Sequence, residues 1–189
     1  MGEQKTLAIL LRRTLLASDD AALEFFTPEW GKITIFVKKF SRSKKRADLD
    51  FFRLLELEIF QGRNSKTLRN VNTQALFHGF SKSFAASEFG FFSLSRIAKN
   101  FEESPQPEIF SEIIKLFSAF EPSQLEIFDL FFRGKMLVWS GTFPKMSGKF
   151  FEFFRRATVD EFLENRENFS PEILLEIREL IEKTESFCE

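Results

Sequence analysis

The sequence predicts an α+β protein, a small five-stranded β-barrel packed on an all-helical domain. Three observations predict it. In the first 75 residues apolar side chains recur at every second position, in short segments separated by turn residues. Beyond them the apolar period lengthens to that of a helix. The charge also changes sign: residues 1–70 hold 14 Lys and Arg against 9 Asp and Glu, whereas residues 101–189 hold 10 against 18. A basic half beside an acidic one points to a face for a polyanion.

The strands follow in order. Residues 5–14 place Leu7, Ile9 and Leu11 on one face and Ala8, Leu10 and Arg12 on the other. Residues 21–27 set Leu23 and Phe25 together, and Pro28-Glu29-Trp30-Gly31 reads as a tight turn. Residues 32–40 alternate again, with Ile33, Ile35 and Val37 inward and Thr34, Phe36 and Lys38 outward. Residues 51–60 set Leu55, Leu57 and Ile59 against Glu56, Glu58 and Phe60, and a shorter strand covers 65–73. Five short strands with little helix between them suggest a closed barrel of the OB-fold type.

Helices take over from residue 84. Apolar stripes run over 84–101, over 108–120 (Ile109, Ile113, Leu116, Phe117, Phe120), and from Pro122 through Leu125, Phe128, Phe132 and Met136 to Trp139. A further helix is expected over 149–156, and Thr158 or Asp160 is placed to cap a short one. Ser170-Pro171-Glu172 opens the last, with Ser as cap and Pro at the first helical position. The expected division is an OB-fold domain at 1–75 and a helical domain at 76–189.

Composition narrows the chemistry. One cysteine, Cys188, leaves no internal disulfide and no cysteine-based metal site within one chain. No apolar run approaches the ~20 residues of a membrane helix, and the N-terminus does not read as a signal peptide. There are 28 Phe and no Tyr, so ring area is kept while phenolic hydrogen bonds are lost. The single histidine, His78, has no triad or metal companions nearby and reads as a surface or domain-junction residue. Asp19-Asp20 and the Glu56/Glu58 pair read as solvated carboxylates. With no phosphate-cradling glycine loop and no nucleophile beside a base, no catalysed reaction is expected.

The most informative segment is residues 38–46, Lys-Lys-Phe-Ser-Arg-Ser-Lys-Lys-Arg, in which six of nine residues are basic. Such a loop neutralises phosphates, and Arg12, Arg13, Lys32, Lys66 and Arg69 extend the basic surface. The plain alternative is a solvated, mobile loop. Phe36 and Trp30 are each placed to stack on an unpaired base. The preferred reading instead packs Phe36 under a loop or the helical half and makes Trp30 a plug for a barrel end. Phe89-Gly90-Phe91-Phe92 and Phe150-Phe151-Glu152-Phe153-Phe154 exceed what one stripe needs. They are either core between helices and barrel or a groove for a partner peptide.

Four stretches, taken in order, resemble the bacterial RecO family. Leu10-Leu11-Arg12-Arg13 is similar to the basic end of its first strand, and Phe26-Thr27-Pro28-Glu29-Trp30-Gly31-Lys32-Ile33 to its Phe-Thr-x-x-x-Gly-Lys turn. Ser41-Arg42-Ser43-Lys44 is like its basic loop, and Leu54-Leu55-Glu56-Leu57-Glu58-Ile59-Phe60-Gln61-Gly62-Arg63 like the strand that follows. The likeness continues more weakly through the helices to Trp139-Ser140-Gly141-Thr142-Phe143-Pro144. There many family members carry four zinc-binding cysteines. This chain has Ser147-Gly148-Lys149-Phe150, so no zinc site is carried over and no cofactor is expected.

The resemblance implies a cytoplasmic, nucleoid-associated protein of recombinational repair. It implies binding of single- and double-stranded DNA, strand annealing, and recombinase loading. Its partners would be a RecR-type protein and the acidic, Phe-ended tail of single-stranded-DNA-binding protein, with no membrane. DNA binding would fall on Arg12, Arg13, Lys32, Lys38, Lys39, Arg42, Lys44 and Lys45, with Arg46 assisting. The rival expectation is a protein-interaction adaptor that keeps the fold with weak or no DNA binding.

Overall fold

A computed structural model of the chain describes residues 2–17, 19–63, 65–142 and 149–186. Its five strands are β1 (Gly2–Leu15), β2 (Ala21–Thr27), β3 (Gly31–Val37), β4 (Arg53–Gln61) and β5 (Lys66–Leu76). They form one antiparallel sheet in the order β3-β2-β1-β4-β5. The long strand β1 serves two partners: its first half pairs with β4 and its second half with β2. A register shift between Leu10 and Arg12 bends it between the two. The sheet edges β3 and β5 then come into contact, which rolls the sheet into an OB-fold barrel. Inside lie Leu10, Leu23, Phe25, Ile33, Ile35, Leu55, Leu57 and Ile59, the residues whose alternation marks the strands.

Six α-helices follow among the described residues: α1 (Phe84–Asn100), α2 (Pro107–Ala119), α3 (Leu125–Trp139), α4 (Lys149–Arg156), α5 (Val159–Asn165) and α6 (Pro171–Glu185). Their starts carry local signals. Ser83 and Ser170 accept from the backbone of Ala86 and Ile173, and Pro107 and Pro171 occupy first-turn positions that lack a helical acceptor anyway. Thr158, not Asp160, caps α5, and the Glu161 carboxylate returns a bond to the Thr158 N–H. None of these helices is long and apolar enough to cross a membrane.

The outer face of the barrel continues into the helical core. Ile9, Leu11 and Phe26 share a cluster with Phe101, Phe110 and Leu94. The Phe26 ring stacks on Phe101 at 5.0 Å and tilts against Phe110 at 5.9 Å. Phe51 and Phe52, expected within a strand, precede it. Phe52 adopts a left-handed φ of 59°, which breaks the extended run and swings its ring onto Phe80 and Phe91. Helix α1 meets that ring at Gly90, where a Cβ would lie 2.5 Å from Phe52 Cε1.

The Phe-rich stretches mostly fill this core. Phe89 and Phe154 are buried and Phe150, Phe151 and Phe153 pack against the cluster, while Phe91 stays half-exposed. Each fully buried Phe contributes about 1.5–3 kcal/mol. The buried Lys135 crosses the same region. It pairs with Glu112 at 2.9 Å, donates to the Ala157 carbonyl at 3.0 Å and lies 5.3 Å from the Trp139 ring. It thereby ties α3 to α2 and to the end of α4. Phe143, Pro144, Ser147, Gly148 and Cys188, which bear on the zinc question, lie outside the described residues.

Candidate nucleic-acid interface

The basic segment folds as a cap on the barrel. Residues 38–50 form two 3₁₀ turns, Phe40–Arg42 and Lys44–Ala47, and plug one barrel end with the buried side chains of Phe40 and Leu49. The β1–β2 connection fastens it. The Lys39 N–H donates to Asp20 Oδ1 at 2.9 Å, the Phe40 N–H to the Asp19 carbonyl at 2.7 Å, and the Ser41 hydroxyl to Asp19 Oδ2. The aspartates expected to be merely solvated therefore fasten the start of the basic segment. Lys39 takes a left-handed φ of 50° at the start of the first turn.

Arg13 emerges from β1 at this barrel end. Its guanidinium donates to the Leu49 carbonyl at 3.2 Å and lies over the Phe51 and Phe40 rings at 5.4 and 5.8 Å. These contacts orient the fork beside Lys44 and Arg46, which line the same open depression with Ser43, Ala47 and Asp50. Lys38, Lys39 and Arg42 are exposed on the same segment. The arrangement sets the anchored Arg13 beside exposed cations over an open surface, which suits phosphate contacts.

Three of the nine expected DNA residues are turned elsewhere. Arg12 lies on the outer face of β1 and pairs with Glu24 of β2 at 3.5 Å. Lys45 reaches back across the barrel end and donates to the Leu68 carbonyl at 2.7 Å. Burial, and then the neighbouring Arg69 guanidinium, lower its pKa. Lys32 sits on the opposite side, where its ammonium donates to the Ala98 carbonyl at 2.7 Å in the last turn of α1.

Lys32 belongs to a second basic cleft. It lies between the outer face of β3, the β4–β5 turn and the α1–α2 connection, with a volume of about 720 Å³. Phe36 and Thr34 line it from β3, and Arg63 and Lys66 from the β4–β5 turn. Phe36 is 65% exposed. It does not pack under a loop or the helical half, as expected: α1 reaches the outer face of β3 at Lys32, and Phe36 lies four residues further along the strand. Trp30 is half-buried against the barrel core, in keeping with the plug reading, with the Lys66 ammonium 5.9 Å from its ring. Lys66 also pairs with Glu103, and Glu102 stands beside it. Arg63 was not singled out from sequence, although a Gly-Arg pair between two alternating segments marks an exposed turn. The acidic pair had no local signal at all, since it arrives from the helical half.

In the helical half, Arg96 and Arg133 converge on Glu185. Arg96 lies 2.9 Å from that carboxylate, and Arg133 pairs with it and with Asp129 at 3.5 Å. Lys5 pairs with Glu58 at 2.9 Å and with Glu56 at 3.8 Å on the outer barrel face, so those acids are structural partners. His78 is exposed in the 3₁₀ turn His78–Ser81 that joins barrel to helices. Among the described residues no cluster of three or more His, Cys, Asp or Glu has metal-binding geometry.

Known proteins match this sequence. The family model described as recombination protein O, N terminal, matches residues 1–77, which span the whole barrel. The DNA repair protein RecO of Dehalococcoides mccartyi strain 195 is 27% identical over 147 residues, and that of strain CBDB1 26% identical over the same length. Each match covers 75% of this chain and 58% of the relative, so the chain aligns with little more than half of those proteins. The barrel thus matches the N-terminal domain of the RecO family, and the chain is similar to the two RecO proteins over 147 residues.

Proposed function

We propose that the chain acts in DNA repair and recombination by binding DNA through residues 1–75, without reading sequence. One observation carries this reading: Arg13 is held by Leu49, Phe40 and Phe51 beside Lys44 and Arg46 at a barrel end capped by the basic segment. Cations fixed in advance lose little freedom on meeting phosphates, and each contact releases condensed counterions. Lys38, Lys39 and Arg42 extend the track. Arg12, Lys32 and Lys45 are partly committed to internal partners and contribute charge more than direct contacts. In this reading the barrel binds single and double strands, promotes annealing and helps recombinase loading. The helical domain, residues 76–189, meets a RecR-type protein and the tail of single-stranded-DNA-binding protein.

Fluorescence-anisotropy titration of a labelled single-stranded oligonucleotide at several salt concentrations tests the reading. Affinity should fall log-linearly with salt, with a slope of about 0.7 per phosphate contacted. Salt-insensitive binding, or binding that survives neutralisation of Arg13, Lys44 and Arg46, would sink it. A second reading, an adaptor with weak DNA binding, draws on the acidic residues 101–189 and on Glu103 seated against Lys66. An adaptor would keep its protein partners when Lys38, Lys39, Arg42, Lys44, Lys45 and Arg46 are neutralised together.

A further inference from the structure

We propose that Glu102 and Glu103 make the Phe36 cleft selective for single-stranded over duplex DNA. The inference rests on the barrel being a DNA-binding module and adds a second, separate site to it. Phe36 presents a ring, 65% exposed, in a cleft that Lys32 of β3 and Arg63 of the β4–β5 turn also line. A flat apolar platform in one cleft with the exposed Arg63 fits an unpaired base with its phosphate, and Lys32 adds charge. The basic barrel end differs: its Phe40 is buried and its Phe51 lies under Arg13, so it offers charge without a free ring.

The acidic pair stands on the rim of this cleft. Glu103 pairs with Lys66 and its side chain remains 62% exposed, and Glu102 lines the same opening. Their backbone is fixed to the barrel. The Lys32 N–H donates to the Glu102 carbonyl at 3.0 Å, and the Gln106 N–H to the Pro28 carbonyl at 2.9 Å. Gly31 makes the close approach possible, since a Cβ there would lie 2.4 Å from the Glu102 oxygen. The carboxylates are thus held at the cleft by the fold itself.

Their effect differs between the two forms of DNA. A duplex brings roughly one charge per 1.7 Å and keeps its bases stacked inside, so it meets the carboxylates and gains nothing from Phe36. A single strand brings charge less densely and recovers about five- to a hundredfold in affinity for each base stacked on an aromatic ring. Repulsion therefore falls on both, and only the single strand is compensated.

The test compares a labelled oligothymidine with a duplex of equal length, both titrated against the full chain at one moderate salt concentration. Replacing both acids, Glu102→Gln with Glu103→Gln, should tighten duplex binding by about three- to tenfold and single-strand binding by less. Phe36→Ala should weaken single-strand binding at least fivefold and leave duplex binding unchanged. Both changes sit on exposed side chains, so the fold is retained. An unchanged preference in the double Gln variant, or equal weakening of both ligands by Phe36→Ala, would overturn the selectivity. In either case the barrel-end reading would stand as long as neutralising Lys44 and Arg46 still weakened binding. If the native chain bound neither DNA at low salt, both readings would fall together.

Discussion

Gly31 shows how one residue fixes the relation between barrel and helices. Its φ of 67° is a conformation that a side chain resists, and an added Cβ would lie 2.3 Å from the Ser104 oxygen. Both contacts are with backbone, which cannot swing aside. Gly31→Ala is therefore expected to cost about 2 kcal/mol or more, read as a lower midpoint in urea denaturation. Its role in the turn was legible from Pro28 and Gly31, but not the strand of chain that lands on it. Arg13 carries a matching prediction for binding. Arg13→Ala should weaken DNA binding uniformly across sequences and lower the salt slope by about one phosphate contact. A change of affinity with an unaltered slope would contradict it.

Among the elements, α3 is tied to its neighbours by polar contacts as well as apolar ones. Lys135 is buried against Glu112, the Ala157 carbonyl and the Trp139 ring. Lys135→Met would leave Glu112 without its cation in a poorly hydrated position, at a cost of about 3 kcal/mol. Calorimetric melting would show this as a clear drop in Tm. Asp129, on the same helix, shows the opposite sign. Burial raises its pKa against the lowering by Arg133, so the folded state holds its proton more tightly than the unfolded chain does. Its contribution is fully present below the ordinary carboxylate pKa of ~3.9 and is lost as pH rises through the raised value. At pH 7 the ionised group is a cost. Asp129→Asn should thus be neutral or stabilising there, with Arg133 still paired to Glu185, and should flatten the pH dependence of the urea midpoint just above that range. The helix starts are simpler: Thr158→Ala removes a cap worth about 1 kcal/mol.

For the whole molecule, the consequence is that barrel and helices share apolar surface. Ile9, Leu11 and Phe26 face outward from the barrel and are nonetheless almost fully buried, because α1 and α2 cover them. A fragment of residues 1–77 would present that face to water, and exposed apolar patches of this kind promote association. The fragment should bind a hydrophobic dye and self-associate on size-exclusion chromatography, whereas the full chain unfolds in one transition. A monomeric, dye-free fragment would show that the two halves fold independently.

The sequence by itself determined that there are five strands, the inward face of β3, most of the helix starts and the charge asymmetry of the chain. Each is encoded over a few residues, by a period of two or 3.6, by Ser, Thr or Pro at a helix start, or by plain counting. It also brought out the basic segment and the family resemblance. Only the tertiary structure decided which charges meet. Barrel closure carried Arg13 to Lys44 and Arg46, took Lys45 to the Leu68 carbonyl and placed Lys32 on the far side against Ala98. Docking of the α1–α2 connection brought Glu103 to Lys66, and Phe36, four residues beyond Lys32 on β3, stayed open. Such contacts join residues far apart in the chain, and neither composition nor periodicity carries information about distances that folding alone creates.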